Sequence, residues 1–401
     1  GSAAPTPVSS LSWHPEGPHR LAASYAALAF QHCSAGTPEA LIWDLAAPNA
    51  PAETLTPPFP VSRIAFNHKN CDQLAFGCTS GAVGVWDVRV NRHRPALLYP
   101  VEAAHYEPVV DLLWLSSKSG NEFVTCAADG SVKWWDTRNA EAPTDAPTDT
   151  PTDSLRVAEA AGGSDLVLGA ISLEYVADYG PKYLIGTESG AILLATKKPK
   201  KAVEINFANC YGLDGLGRHL GPVSRIQRNP FFPRYFLSVG DWSVNVWEDD
   251  LKTPIMLTRY HHAFLADGAW SPARPGVLLA ARRDGWLDVW DLYYRQNEVA
   301  LSHRVSAAPL TCLRLNVALP AQAGAPVPDL GRFCAVGDAA ETVTLLELCG
   351  SLCRPVADER AVVLEIFERE KGREEAFKRQ RLERAKSGRE RPRGDRPRAE
   401  A

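Results

Sequence analysis

The sequence predicts an all-β fold, a ring of seven antiparallel sheets built from one repeated unit, and three observations predict it. A short strand-like run that ends in Trp-Asp or a close relative recurs along the 401 residues. Neighbouring copies place their tryptophans 43, 49 and 43 residues apart, near the roughly 40–45 residues of one four-stranded propeller blade. The 31 prolines and 29 glycines favour many turns over long helices.

Seven copies of the repeat follow one another along the chain. Five carry the tryptophan, at Trp43, Trp86, Trp135, Trp247 and Trp290, and two degenerate copies occupy residues 191–195 and 343–347. Glycine follows the turn residue in four copies: Gly81, Gly130, Gly190 and Gly285. It supplies the positive φ that a tight hairpin requires. We therefore predict a seven-bladed WD40 β-propeller over residues 8–357, preceded by a remnant or linker at residues 1–7.

The residues that define the repeat have a structural role. In WD repeats a histidine, a Ser or Thr, the turn aspartate and the tryptophan form a hydrogen-bonded set. The residue types of such a set are those of a hydrolase triad, but the set recurs in several blades, whereas an active site would not. We assign this structural role to His105, Thr125, Asp129, Trp135, His219, Ser238, Asp241, Trp247, Asp284 and Trp290.

Two intervals exceed the repeat length. Residues 142–153 repeat Pro-Thr-Asp, a composition that cannot bury a core, so we predict a disordered insertion over about residues 142–164. Residues 318–330 are rich in Ala and Pro and predict a second surface loop.

The composition changes sharply after residue 357. Acidic residues at 358 and 359 suit a helix N-terminus, and Val362, Val363, Ile366 and Phe367 repeat at helical spacing. We predict a helix over residues 358–386 whose first turns pack on a neighbour, followed by a disordered Arg-rich tail at 387–401. Residues 371–401 hold twelve basic and six acidic residues. Such a tail could bind nucleic acid or an acidic protein surface, or could simply be solvated.

Charge and cysteine content exclude several function classes. A formal net charge of −4 does not describe a polycation built for nucleic acid. Nine scattered cysteines without a C-x-x-C pair fit neither a disulfide framework nor a zinc site, so we expect reduced thiols that serve as small core residues, inside a cell. We find no membrane-spanning segment, secretory signal, metal-ligand spacing or phosphate-binding loop, and predict no enzyme, no cofactor and no metal.

The chain begins with Gly1 and its one methionine is Met256, so we expect that an upstream segment is missing.

Several stretches are more specific than the bare repeat. The run IQRNPFFP at 226–233, followed by FLSVGDW at 236–242, resembles the dynein intermediate chains. The runs AWSPARPG at 269–276 and RDGWLDVWDL at 283–292 resemble them as well. The tail that begins FERE at 367–370 is similar to that of the axonemal outer-arm intermediate chain 2 group. The likeness covers nearly the whole chain, except for the Pro-Thr-Asp tract.

This resemblance implies a non-catalytic scaffold subunit of the ciliary outer dynein arm. The propeller would bind the tail of a dynein heavy chain beside a second dynein intermediate chain, and would reach the microtubule indirectly. Dynein light chains would bind an upstream segment that is absent here. The implied location is the cytoplasm and then the axoneme of a cilium or flagellum, without membrane binding. The alternative is a WD-repeat adaptor of a ribonucleoprotein or chromatin complex, which only the Arg-rich tail favours.

Aligned inner strands give a candidate partner-binding surface. Their shared register places Arg63, Asp111, Arg225 and Asp267 at equivalent positions near the central channel, toward the face that carries the turn aspartates. Four charges of mixed sign suit a polar partner, or are simply solvated. Arginine and tryptophan are enriched in interface hot spots. We therefore add Arg283 and the turn residues Trp242 and Trp286 as candidate contacts with the heavy chain.

Overall fold

Seven antiparallel sheets follow one another along the chain in the computed structural model. The structure describes residues 5–16, 19–27, 39–90, 94–100, 102–116, 119–140, 153–159, 166–176, 182–197, 203–205, 209–213, 215–317 and 330–389. Blades 1 to 3 are formed by β1 (Val8–Trp13), β2 (Arg20–Tyr25), β3 (Ala40–Asp44) and β4 (Glu53–Leu55); β5 (Val61–Phe66), β6 (Gln73–Cys78), β7 (Val83–Asp87) and β8 (Leu97–Leu98); β9 (Val109–Trp114), β10 (Glu122–Ala127), β11 (Ser131–Asp136) and β12 (Asp153–Arg156).

The remaining blades repeat this order after a two-stranded ribbon of β13 (Ala158–Glu159) and β14 (Leu166–Val167). Blades 4 to 7 are formed by β15 (Ala170–Tyr175), β16 (Lys182–Thr187), β17 (Ile192–Thr196) and β18 (Glu204–Ile205); β19 (Val223–Arg228), β20 (Tyr235–Gly240), β21 (Ser243–Glu248) and β22 (Met256–Leu257); β23 (Leu265–Trp270), β24 (Val277–Arg282), β25 (Trp286–Asp291) and β26 (Leu301–Arg304); β27 (Leu310–Leu315), β28 (Phe333–Asp338) and β29 (Val343–Glu347).

The ring closes between blade 7 and blade 1. The Thr311 hydroxyl in β27 donates to the carbonyl of Val8, 2.6 Å away, and Trp13 Nε1 donates to the carbonyl of Arg314 at 3.0 Å. The first strand of the chain thereby packs beside the last inner strand. The predicted fold class, a seven-bladed WD40 propeller with a charged C-terminal helix, is confirmed.

Blade 7 has three strands within the described residues, while the other six blades have four. Leu352, which lies near the position of a fourth strand, belongs to the short helix α1 (Gly350–Cys353) and packs against the apolar core between blades 6 and 7. Residues near Leu352 therefore do not supply that strand.

The predicted disordered insertion at 142–164 extends too far. Residues 153–156 form β12, which pairs with β11 as the outer strand of blade 3. The reason is burial, because Val157 is fully buried and Leu155 packs against the core of blades 3 and 4. Residues 142–152 and 160–164, with 318–329 of the second predicted loop, lie outside the described residues.

The C-terminal helix α2 spans Glu359–Arg389 and crosses the propeller at blades 5 and 6. Three residues of its predicted apolar stripe pack as the spacing predicts, because Val363 and Phe367 are fully buried and Ile366 is nearly so, whereas Val362 is only half-buried. Residues 387–389 are helical rather than part of the tail, and 390–401 lie outside the described residues. None of the described helices is long and apolar enough to cross a lipid bilayer.

The cysteines follow the expected pattern only in part. Five are buried as small core residues: Cys78, Cys126, Cys210, Cys312 and Cys334. Cys71 and Cys353 are half-buried, and Cys349 is exposed. All eight cysteines in the described part of the chain are free thiols.

Candidate functional site

The hydrogen-bonded sets of blades 3 and 5 hold the sheets of those blades together. His105 Nε2 lies 2.7 Å from the Thr125 hydroxyl, which also accepts the indole N–H of Trp135 at 2.8 Å. Asp129 lies 3.4 Å from the other nitrogen of His105. Burial lowers the pKa of His105, which favours the neutral ring. Blade 5 repeats the arrangement: His219 and the Trp247 indole both contact Ser238, at 2.7 and 2.8 Å.

Blade 6 departs from this pattern. Asp284 pairs with the Arg282 guanidinium rather than with a histidine. His261 Nδ1 instead lies 2.6 Å from Asp288, a residue of β25. Ala280 occupies the strand position that Ser238 holds in blade 5, so the Trp290 indole N–H has no hydroxyl to contact. Within the described residues that N–H is buried without a partner.

The four aligned residues do meet at the central channel. Each is the third residue of its inner strand, and each lies within three residues of the strand end that is nearest the turn aspartates. Asp111 lies 3.9 Å from the Arg63 guanidinium and 3.7 Å from that of Arg225. Asp267 pairs instead with Arg314 at 2.6 Å, a channel residue that the alignment missed because it stands two positions further along its strand.

The two aspartates also join neighbouring blades. Asp111 accepts the backbone N–H of Leu173 in blade 4 at 2.9 Å, and Asp267 accepts that of Leu313 in blade 7 at 3.0 Å. Burial opposes ionisation of Asp267, but the nearby guanidinium groups of Arg314, Arg225 and Arg63 outweigh it, so its pKa lies below the usual range. These charges are therefore structural connectors between blades, and the two aspartates are too deeply buried to present a free surface.

The turn residues lie on one outer face, which we call the upper face: the face that carries the turns between the second and third strands of each blade. Trp242 is half-buried, and its ring lies 4.1 Å from that of Phe264. The backbone N–H of Arg283 donates to the carbonyl of Phe264 at 2.8 Å, so these three residues are neighbours. Arg283 is exposed, and Trp286 is half-buried under the Arg282 guanidinium.

Sequence reasoning missed the apolar residues that complete this patch. Leu220 is 79% exposed, Tyr260 73% and Phe264 42%. All three precede an inner strand of blade 5 or 6, in the loops that rise to the upper face. We name Leu220, Trp242, Tyr260, Phe264 and Arg283 the blade 5–6 patch. No local pattern in the sequence marks these residues, since Leu168 also precedes an inner strand and is buried, and only the ring brings the separate loops together.

Aromatic rings beside an exposed guanidinium suit protein recognition. Large exposed apolar groups that cluster on one face mark interaction sites, and tryptophan, tyrosine and arginine carry much of the energy of protein interfaces. Among the described residues, no group of three or more His, Cys, Asp or Glu is placed to hold a metal ion.

Comparisons with known proteins agree with this architecture. The family model described as Dynein axonemal intermediate chain 3 WD40 domain matches residues 164–348, and the WD domain, G-beta repeat model matches residues 100–136. The chain is 39% identical over 370 residues to a protein named Dynein intermediate chain 3, ciliary, from Heliocidaris crassispina, covering 92% of this chain and 58% of that protein.

Two further relatives cover the same span. Dynein axonemal intermediate chain 2 of Rattus norvegicus is 39% identical over 91% of this chain and 55% of its own length. The protein named Dynein, 70 kDa intermediate chain, flagellar outer arm, of Chlamydomonas reinhardtii is 34% identical over 92% of this chain and 60% of its own. The chain thus spans a little over half the length of the curated relatives it matches. Their names are those of intermediate chains, in agreement with the prediction that this chain is not an enzyme.

Proposed function

Because the chain belongs to the axonemal dynein intermediate chain family of WD-repeat proteins, we propose that it is a non-catalytic scaffold subunit of the ciliary outer dynein arm. Relatives whose names read ciliary, axonemal and flagellar outer arm support this assignment. We propose the axoneme of a cilium or flagellum, reached from the cytoplasm, as its location.

The blade 5–6 patch is the observation that carries the proposal. It presents three exposed apolar side chains and one exposed arginine on a rigid face, with Trp242 beside them. Exposed apolar side chains on this face add no stability to a propeller whose upper face contacts only water. We propose that the patch binds the tail of a dynein heavy chain and that Arg225, Trp242, Arg283 and Trp286 contribute to the contact. The channel residues Arg63, Asp111 and Asp267 would support it indirectly, since they fix the blades that carry it.

The other partners follow from the family. A second dynein intermediate chain would pair with this one on the same heavy chain, and the microtubule would be reached through the assembled arm. Dynein light chains would bind sequence outside the 401 residues. Membrane binding is not part of the proposal.

A pull-down from ciliary extract tests the proposal. We expect the tagged chain to capture dynein heavy chain, and the double charge reversal Arg225→Glu with Arg283→Glu to reduce that capture at least tenfold. The matched control reverses Arg89 and Arg295, two exposed arginines in loops on the opposite face, and should bind as the original chain does. Full capture by the Arg225/Arg283 variant would count decisively against this surface.

The same pull-down distinguishes the proposed function from the alternative one. A ribonucleoprotein or chromatin adaptor would retain RNA instead, with an affinity that falls steeply with salt. Deletion of the residues after Lys371 would abolish that retention and would leave heavy-chain capture unchanged.

A further inference from the structure

Three arginines converge on one small cavity in the central channel. The cavity has a volume of about 230 Å³, and its lining includes Arg63, Arg225, Arg314 and Asp111. The side chains of the three arginines are between 18% and 21% exposed. They are therefore held in place by the inner strands, with only their ends open to the channel.

The carboxylates beside them are largely occupied by backbone donors. Asp111 accepts the N–H groups of Leu112 and Leu173, each within 3.0 Å. Asp267 accepts the N–H groups of Gly268 and Leu313, again within 3.0 Å, in addition to Arg314. Both oxygens of each aspartate thus already accept a hydrogen bond from a backbone N–H group, and one of the two bonds joins the neighbouring blade.

The guanidinium donors are not matched in the same way. Each guanidinium has five N–H groups. Arg63 donates one to the carbonyl of Val110, and Arg314 donates to Asp267 and to the carbonyl of Leu313. The guanidinium of Arg225 makes no hydrogen bond to any described residue, and the carboxylate paired with it, that of Asp111, lies 3.7 Å away. A guanidinium that is mostly removed from solvent and has no acceptor within hydrogen-bond distance requires a partner, and an oxyanion is the partner that a guanidinium binds most strongly.

We propose that the channel binds a small oxyanion, a phosphate or carboxylate group, between Arg63, Arg225 and Arg314. The oxygen atoms of the anion would accept hydrogen bonds from the guanidinium N–H groups that have no acceptor in the channel. The facing charges are three arginines against Asp111, Asp267 and, one layer along the channel, Glu174. Burial raises the pKa of Glu174 to about 7, so this carboxyl carries only part of a negative charge at neutral pH and leaves the channel positive. The anion arrives either as a free ion or as a side chain of a bound protein.

Calorimetric titration of the full chain at pH 7 tests this site, with inorganic phosphate and with acetate as separate probes at matched ionic strength. We expect saturable binding of at least one probe. Arg225→Gln should weaken it about 10- to 100-fold, the effect of losing a charge-assisted hydrogen bond. Arg295→Gln removes the same charge from an exposed loop outside the channel and should bind as the original chain does. Tighter phosphate binding would identify a phosphate group as the ligand, and tighter acetate binding a carboxylate.

Arg225→Lys keeps the proposal testable if Arg225→Gln fails to fold. Lysine retains the charge but lacks the planar fork of donors, so we expect several-fold weaker binding with an unchanged melting temperature in the absence of anion. The proposal is wrong if neither probe binds saturably. It is equally wrong if Arg225→Lys binds as the original chain does, or if Arg295→Gln loses as much affinity as Arg225→Gln.

Discussion

Replacing Arg274 should detach the C-terminal helix from the propeller. Arg274 lies in the loop between β23 and β24, and its side chain is 1% exposed. Its guanidinium donates to Asp291 at 2.8 Å, to Glu359 at the start of α2 at 2.8 Å, and to the carbonyl of Ser351 at 2.7 Å. One side chain thus joins blade 6, α1 and α2.

The magnitude follows from what Arg274→Met leaves behind. Methionine retains much of the apolar stem, so little packing is lost. The carboxylates of Asp291 and Glu359, 7% and 0% exposed, would remain buried without their cation. Removing one partner of a buried ion pair costs about 3–5 kcal/mol. We expect a loss of that size in the free energy of unfolding.

Urea unfolding measures the loss, and trypsin cleavage after Lys371 and Arg373 reports release of the helix. Both sites should be cut faster in Arg274→Met, because Val363 and Phe367 would no longer be held in the core. The control is Arg295→Met, which breaks an exposed pair with Glu298 and should cost at most about 1 kcal/mol. A cost below about 1 kcal/mol for Arg274→Met, with unchanged cleavage, would refute the reasoning.

Three further predictions follow. Trp135→Ala should lower the free energy of unfolding by about 3–5 kcal/mol, since the indole is 1% exposed and bonded to Thr125; an unchanged melting temperature would contradict this. Glu174→Gln keeps the acceptor for a backbone N–H and removes a titration whose folded pKa is about 7 against an ordinary 4.5. The folded state keeps that proton up to a higher pH than the unfolded state does. The original chain should therefore lose roughly 3 kcal/mol of folding free energy relative to the variant as the pH rises from 4.5 to 7. Urea unfolding of both proteins across that range should show this pH-dependent difference in stability, and a difference that stays constant with pH would rule it out. Phe264→Ala should cut heavy-chain capture at least tenfold, while Leu257→Ala, which truncates an even more exposed apolar side chain on β22, should leave capture intact; equal losses would show that the patch is not specific.

Local sequence was enough to predict the ring of blades. The recurring Trp-Asp run, the turn residues and the glycines act within one blade, so their spacing carries the fold. Gly81 and Gly130 have φ values of 86° and 73°, and a Cβ at Gly81 would lie 2.0 Å from the carbonyl oxygen of His105. The hydrogen-bonded sets of blades 3 and 5 were predictable for the same reason. The apolar spacing of α2 likewise predicted which side chains it buries.

Tertiary structure alone decided how those units meet. Aligning the inner strands of this chain with one another placed Arg63, Asp111, Arg225 and Asp267 at one channel. It could not show that the aspartates accept backbone N–H groups of the next blade, because those groups lie 62 and 46 residues further along the chain. The same limit hid β12, whose burial depends on blade 4, and the blade 5–6 patch, whose members come from separate loops. A repeat specifies its own hydrogen bonds, whereas contacts between repeats depend on where the ring places them.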